Sequence, residues 1–382
     1  MAFGVICEYN PFHTGHLHQI NEIKRISSEP IVCVMSGHLT QRGEIAVLDK
    51  YARAEMALRA GADVVLELPV PFCLASAEYF ASAGVHILRG VGVDKLCFGS
   101  ESADAQEIMR IAKIAASDEF KAKCAESAGK EPSAAAYFEL LKNECGADNI
   151  LSNDILGIEY TKAIIKSGFD MKICPIKREG SLYNDTELEF GKLPSASAIR
   201  EKLAQGNVND ISEFVPDSTL EILKREEISS FEYAKDGALL CLRLLDSARL
   251  DVAVSDVGLV NRITDCAARA ATFDGMLKDV QTKKYTRAAI RRAILYMLLG
   301  IRNDDLQNMP RYTVLLGVSP KGREYLSDIR KKDCAVKVVT KPADAPDGRQ
   351  KELSVRADAL YTACFEKKRE SGFYMKKNPV II

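Results

Sequence analysis

The sequence predicts an α/β protein, a Rossmann-like parallel sheet followed by a mainly helical C-terminal domain. Three observations carry this. Over the first 100 residues, short Val- and Ile-rich runs alternate with segments of helical apolar spacing, the rhythm of βαβ units with helices on both faces. Turns rich in glycine and histidine follow those runs directly, at the strand ends where ligands of parallel sheets bind. Beyond residue 216 the pattern becomes helical, with one short strand candidate at Thr313–Leu316.

Taken in order, Phe3–Cys7, Ile31–Met35, Val64–Leu68 and Leu96–Phe98 read as buried strands, too short for helices. Between them Leu17, Ile20, Ile23 and Ile26 recur at helical spacing, as do Leu48, Tyr51, Ala54 and Leu58, then Ala77, Phe80, Ala81 and Val85. From Asp104 to about Cys145 the chain is rich in Ala and Lys and helical in pattern, an insertion or lid. A further strand, Met171–Ile176, precedes Lys177-Arg-Glu-Gly180. Pro194-Ser-Ala-Ser-Ala-Ile-Arg200 then opens a helix that Ser195 or Ser197 can cap. A boundary near Phe214 to Pro216 gives two domains, 1–215 and 216–382.

With 47% hydrophobic residues in 382, the chain has material for packed cores and is no disordered tail. Its longest apolar candidate, Ala293 to Ile301, falls far short of the ~18 residues of a membrane span, and no basic leader precedes Glu8, so a cytoplasmic protein is expected. Eleven scattered cysteines without a Cys-x-x-Cys pair read as reduced thiols. His13, His16 and His18 could be imagined as metal ligands, but a phosphate-binding role explains them better.

The most informative stretch is Asn10-Pro-Phe-His-Thr-Gly-His16. A glycine in the turn lets backbone approach a ligand, and a helix starting there aims free N–H groups and its positive dipole end at an anion. Histidines bracketing the glycine can donate to phosphate oxygens and to charge developing on them, so displacement at phosphorus needs positioning and electrostatics but no protein nucleophile. As a bare pattern His-x-Gly-His is weak; its weight comes from following the first strand, opening a helix, and sharing the chain with Ser197-Ala-Ile-Arg200.

These residues resemble the nucleotidylyltransferase superfamily with its HxGH signature, and within it the tRNA(Met) cytidine acetate ligase family. The resemblance rests on Gly4-Val-Ile-Cys-Glu-Tyr-Asn-Pro-Phe-His-Thr-Gly-His16, Ser36-Gly37 with Gln41-Arg-Gly-Glu44, and Gly61-Ala-Asp-Val-Val-Leu-Glu-Leu-Pro69. It continues through Phe98-Gly-Ser-Glu101, Asn153-Asp-Ile-Leu-Gly-Ile-Glu-Tyr160, Lys177-Arg-Glu-Gly180, Ser197-Ala-Ile-Arg200 and Thr282-Lys-Lys-Tyr-Thr286 before Arg291-Arg292. Thr14 stands where many relatives have Asn, and His38-Leu39 replaces Asn-Phe, a departure that bears on acetate or lid contacts.

The resemblance implies an ATP-dependent ligase that activates acetate as acetyl-adenylate, releasing pyrophosphate. It would then acetylate the exocyclic amine of the wobble cytidine of elongator tRNA(Met), giving N4-acetylcytidine. His13 and His16 would be catalytic. The ATP site would comprise Cys7, Glu8, Tyr9, Asn10, Pro11, Phe12, His13, Thr14, Gly15, His16, Leu17, His18, Gln19 and Ile20, with Gly99, Asn153 and Arg178. Ser197 and Arg200 could close over the triphosphate, with a capped helix start as the plainer role. Mg²⁺ would mask the pyrophosphate charge, although the sequence fixes no ligand for it; no membrane and no obligate protein partner is implied.

The formal charge of −1 from 52 Lys+Arg and 53 Asp+Glu hides a dipole. Residues 1–275 hold 29 basic against 41 acidic groups, and residues 276–382 hold 23 against 12. Lys283, Lys284, Arg287, Arg291 and Arg292 share one helix and its leading loop. Such a run is often a solvated face; with Tyr285 and Lys331-Lys332 it could instead track a tRNA backbone. Lys367-Lys-Arg369 and Lys376-Lys377 would extend that surface or form a soluble tail. Two other readings stay open: a small-molecule adenylyltransferase of cofactor biosynthesis using the same histidines, and a non-catalytic RNA-binding protein on this scaffold.

Overall fold

A computed structural model describes residues 1–128, 134–146, 152–178, 195–246, 251–254, 256–331 and 335–382. In chain order come β1 (Phe3–Cys7), α1 (Thr14–Ile26), β2 (Ile31–Ser36), α2 (Lys50–Ala60), β3 (Val64–Leu68), α3 (Ala77–Gly90) and β4 (Lys95–Ser100). They are followed by α4 (Ala105–Ala116), α5 (Asp118–Ala128), α6 (Ala134–Cys145), α7 (Ser152–Ser167), β5 (Lys172–Lys177), α8 (Ala196–Ala204) and α9 (Asp217–Arg225). The remainder is α10 (Lys235–Leu244), α11 (Val257–Arg269), α12 (Phe273–Val280), α13 (Arg287–Leu299), α14 (Asn303–Gln307), β6 (Tyr312–Val318), α15 (Pro320–Arg330), β7 (Lys337–Val339), α16 (Arg349–Thr362) and β8 (Val380–Ile381).

The sheet runs β5-β4-β1-β2-β3-β6-β7, with β8 beside β6. Every pairing is parallel except β3 with β6. The five N-terminal strands and the alternating helices stand where the sequence predicts them, and for the predicted reason. Strand residues two apart face the same layer, so Val32 and Val34 enter one core while Ile31, Cys33 and Met35 enter the other. The first core also holds the apolar faces of α3, α4, α7 and α10–α13; the second holds those of α1, α2, α8 and α9.

The C-terminal segment departs from the expected picture. The strand candidate at Thr313–Leu316 is β6, and it lies in the central sheet antiparallel to β3 instead of in a helical unit of its own. The cause is the apolar content of both strands. β3 is buried along its whole length, and an unpaired edge there would leave backbone N–H and C=O groups without partners. β6, Tyr-Thr-Val-Leu-Leu-Gly-Val, is buried throughout and supplies them. The sheet therefore crosses the boundary placed near residue 215. The predicted insertion is helical, but α4 packs Ile108, Ile111, Ala112 and Ala115 into the first core alongside α7.

A buried charge network fastens α16 to this sheet. Lys50 Nζ donates to Glu67 at 2.9 and 3.0 Å and to Asp358 at 3.3 Å, while His38 Nδ1 meets Asp358 at 2.7 Å. Burial pulls the His38 imidazole down to about 4 despite Asp358, so its Nδ1–H donates and Nε2 is left without a partner. The two carboxylates raise the Lys50 ammonium above its usual range against the opposing effect of burial. His38 also stacks on Tyr361 at 4.0 Å.

Candidate active site

β1 delivers its carboxyl end to a turn in which His13 is the N-cap of α1. His13 Nδ1 accepts from Gly15 N at 3.1 Å, and His16 Nδ1 accepts from His13 N at 3.2 Å, a reciprocal cap that satisfies two helix-terminal N–H groups. With both Nδ1 atoms accepting, the proton of each neutral ring sits on Nε2. The rings stack at 3.7 Å, and Tyr9 and Phe12 back His16 at 4.8 and 5.5 Å. Gly15 is required by closeness: a Cβ there would lie 2.9 Å from His13 Cε1. Burial, with Arg178 and Arg200 nearby, pushes His13 down to about 3, and burial beside His13 and Arg178 holds His16 well below the ordinary range. Both rings are thus neutral donors at neutral pH.

The pocket above them is walled by the ends of β1, β4 and β5, the loop after β2, and the start of α8. Parallel register places Gly99 opposite Ile176, so Arg178, the second residue after it, lies beside the glycine; a Cβ on Gly99 would come within 3.2 Å of Arg178 Cγ. Ser195 Oγ caps α8 by accepting from Ala198 N at 3.1 Å, and Ser195 and Ser197 both line the pocket. Arg200 donates to Asn10 O at 3.0 Å, Glu44 Oε2 at 2.9 Å and Ser197 Oγ at 3.3 Å.

Of the predicted ATP residues, Cys7, Glu8, Tyr9, Asn10, His13, Gly15, His16, His18, Gln19, Gly99 and Arg178 line the pocket, as do Ser197 and Arg200. Pro11, Phe12, Thr14, Leu17 and Ile20 do not. A contiguous segment cannot all face one cavity once it turns into a helix. Phe12 and Ile20 are fully buried in the second core with Leu17 against it, and Thr14 Oγ1 donates to Phe214 O at 3.2 Å. Asn153 falls in the first turn of α7, and its side chain lies outside the described residues. So do Glu179 and Gly180 of the Lys177-Arg-Glu-Gly180 stretch and Lys332. His38 is buried in the charge network and does not line the pocket.

Sequence reasoning left several pocket residues unassigned. Ile6, Phe80, Phe98, Leu156, Tyr160 and Ile176 form an apolar wall, and Gln41 and Arg42 reach the rim from the loop after β2. Arg53, fully buried, donates to Glu8 O at 2.6 Å, Ser36 O at 3.1 Å, Leu48 O at 3.0 Å and Gly37 O, fixing the loops after β1 and β2 together. Glu8 accepts from Gln41 N at 2.7 Å, and burial raises its carboxyl above the usual range. The Gln41-Arg-Gly-Glu44 run at the carboxyl end of β2 was the available signal.

The basic run on α13 and the loop leading into it divides. Lys283, Lys284 and Arg287 are exposed, with Lys284 paired to Asp256 at 2.6 Å. Arg291 instead bonds Glu44 Oε1, and Arg292 donates to Gln41 O at 3.2 Å, so both are turned toward the pocket rim. Among the described residues no helix is long and apolar enough to cross a membrane, and no group of three or more His, Cys, Asp or Glu could hold a metal ion.

A family model for HIGH Nucleotidyl Transferase matches residues 1–375. A tRNA(Met) cytidine acetate ligase of Acetivibrio thermocellus is 35% identical with 100% of both chains covered, and one of Caldanaerobacter subterraneus subsp. tengcongensis is 36% identical with 96% of each covered. Crystal structures of Thermotoga maritima TmcAL, 31% identical, superpose over 100% of this chain and 99% of theirs. The TM-score is 0.88 for the apo form and 0.85 for the form bound with alpha-thio ATP.

Proposed function

The chain belongs to the HIGH nucleotidyl transferases and, among them, to the tRNA(Met) cytidine acetate ligases, and from that premise we propose how its residues divide the work. It is an ATP-dependent ligase that acetylates a cytidine of tRNA(Met). Acetate attacks the α-phosphorus of ATP through a carboxylate oxygen, the bond to the bridging oxygen breaks, and pyrophosphate leaves. The exocyclic amine of the wobble cytidine of elongator tRNA(Met) then attacks the acetyl carbon, loses a proton, and AMP departs.

The observation that supports this assignment is the pair of stacked, neutral imidazoles with Nε2–H free to donate at the N-terminus of α1. They bind the phosphate oxygens on which charge builds as pyrophosphate leaves, with no reorganisation at the moment of reaction. Arg178, Arg200 and Ser197 hold the triphosphate, and the apolar wall shields the mixed anhydride from water. Glu8 is the carboxylate lining the pocket, and it is already engaged by Gln41 N. The described lining therefore offers no set of carboxylates for a magnesium ion, and such an ion would come in with the triphosphate. The pocket in which acetate is activated is lined from residues 1–215, and 216–382 carry tRNA on the exposed Lys283, Lys284 and Arg287 and on Arg291, one turn further along α13. A cytoplasmic location is part of this proposal, in keeping with a tRNA substrate.

The test is mass spectrometry of tRNA(Met) after incubation with ATP and labelled acetate. Acetylation at the wobble cytidine is expected, with acetyl-adenylate and pyrophosphate formed when tRNA is left out. His16→Ala should slow acetyl-adenylate formation by about 10²–10³ while tRNA affinity is kept. Adenylylation of a small nucleotide with no tRNA product would replace this reading with a cofactor-forming adenylyltransferase.

A further inference from the structure

Glu44, in the loop after β2, has no part in the scheme above, yet it touches both halves of it. Its Oε2 accepts from Arg200 at 2.9 Å and its Oε1 from Arg291. Arg200 lines the pocket and also bonds Asn10 O, next to the histidine turn. Arg291 lies on α13 with its side chain 44% exposed, in line with the basic face assigned to tRNA. One carboxylate, one oxygen to each, bridges an arginine of the triphosphate site and an arginine of the tRNA face.

The bridge is seated by the fold. Thr40 N bonds Glu44 O at 3.0 Å and Gly43 N bonds Thr40 O at 2.9 Å, closing a tight turn flanked by the Leu39–Ile45 bridge. Gly43, at φ +72, lies so close to α13 that a Cβ would stand 2.6 Å from Arg292 N, and Arg292 ties Gln41 O from the other side. Glu44 and Arg200 are 25% and 19% exposed, so the charges are partly dehydrated.

We infer that Glu44 is a positioning residue through which ATP and tRNA oppose each other's binding; the inference rests on the roles proposed above for Arg200 and Arg291. Two guanidiniums sharing one carboxylate repel each other. When one departs for a phosphate, the other is held more tightly. Removing the second as well leaves a partly buried carboxylate unpaired between two polyanions. With triphosphate bound, Arg291 stays on Glu44 and tRNA is held loosely. Once pyrophosphate has left, Arg200 returns to Glu44 and frees Arg291 for the tRNA backbone. The carboxylate thereby orders the half-reactions, with activation first and acetyl transfer second.

The experiment uses the full-length protein, an unmodified tRNA(Met) transcript and α,β-methylene ATP, with tRNA affinity read by filter binding. In the wild type the analogue should weaken tRNA binding about two- to fivefold, the range of a partly exposed ion pair, and tRNA should weaken analogue binding by the same factor. Glu44→Gln should abolish the coupling while binding each ligand alone at least as tightly as the wild type. A glutamate that only supports the loop would, when replaced, weaken both ligands. That result, a coupling unchanged in the variant, or no coupling in the wild type overturns the proposal. Failure of the wild type to bind tRNA at all would instead overturn the functional reading, and the coupling with it.

Discussion

At the residue scale the pocket is lined by two histidines that stay uncharged. His13 binds fewer protons in the folded chain than in the unfolded one, because its value falls from the usual 6.5 to about 3. Its contribution to stability is therefore complete above about pH 6.5 and is lost as pH falls toward 3. In the ligand-free protein the His13 ring should show no NMR titration between pH 8 and 5; a midpoint near 6.5 would mean that the imidazole is solvated and not the buried donor described. His13→Asn keeps an acceptor for the helix cap and His13→Ala does not, so comparing the two separates loss of the cap, worth about 1 kcal/mol, from loss of the Nε2–H. His13 and His16 were legible in sequence because cap, turn and donors all lie within one heptapeptide. Arg53 and Glu44 were not, since their partners are brought to them by loops and helices distant in the chain.

At the element scale the loop after β2 is held from several sides, by Arg53, Arg200 and α13. Its tip packs on α13 through Gly43, whose positive φ and missing side chain both matter. Gly43→Ala would add about 1–2 kcal/mol of backbone strain and press a methyl group onto the α13 backbone. A lowered urea midpoint and slower acetyl-adenylate formation are expected together, because Gln41 and Arg42 move with the tip; an unchanged midpoint would mean that the loop is not seated as described. Helical spacing revealed α1, α2 and α3, and apolar runs revealed β1 to β5. The same periodicity is silent about which loop rests on which helix, so it gives no sign that Arg291 and Arg292 also reach from α13 to the pocket rim.

At the scale of the whole molecule, the sheet and the buried Lys50–Glu67–Asp358 group join parts of the chain that composition separates. A fragment ending at residue 215 would keep β3 but lose β6 and Asp358. It should be insoluble or lack a cooperative thermal transition, whereas the full chain melts cooperatively; a well-dispersed NMR spectrum from the fragment would contradict this. The N-terminal α/β rhythm was readable because neighbouring strands there are close in sequence. The place of β6 was not, because one apolar heptapeptide carries no mark of which edge it will cover, and only the buried outer side of β3 decides it.

That pairing also has a temporal side. Tyr312 follows Leu68 by 244 residues, so a ribosome working at ~5–20 residues per second releases β3 roughly 12–50 s before its partner exists. Throughout that interval the nascent chain displays an apolar strand with a bare edge, the feature most prone to join another chain. Biosynthesis of this protein should therefore be sensitive to translation speed and to holdase chaperones that cover the waiting strand, even though the finished fold leaves β3 paired on both sides.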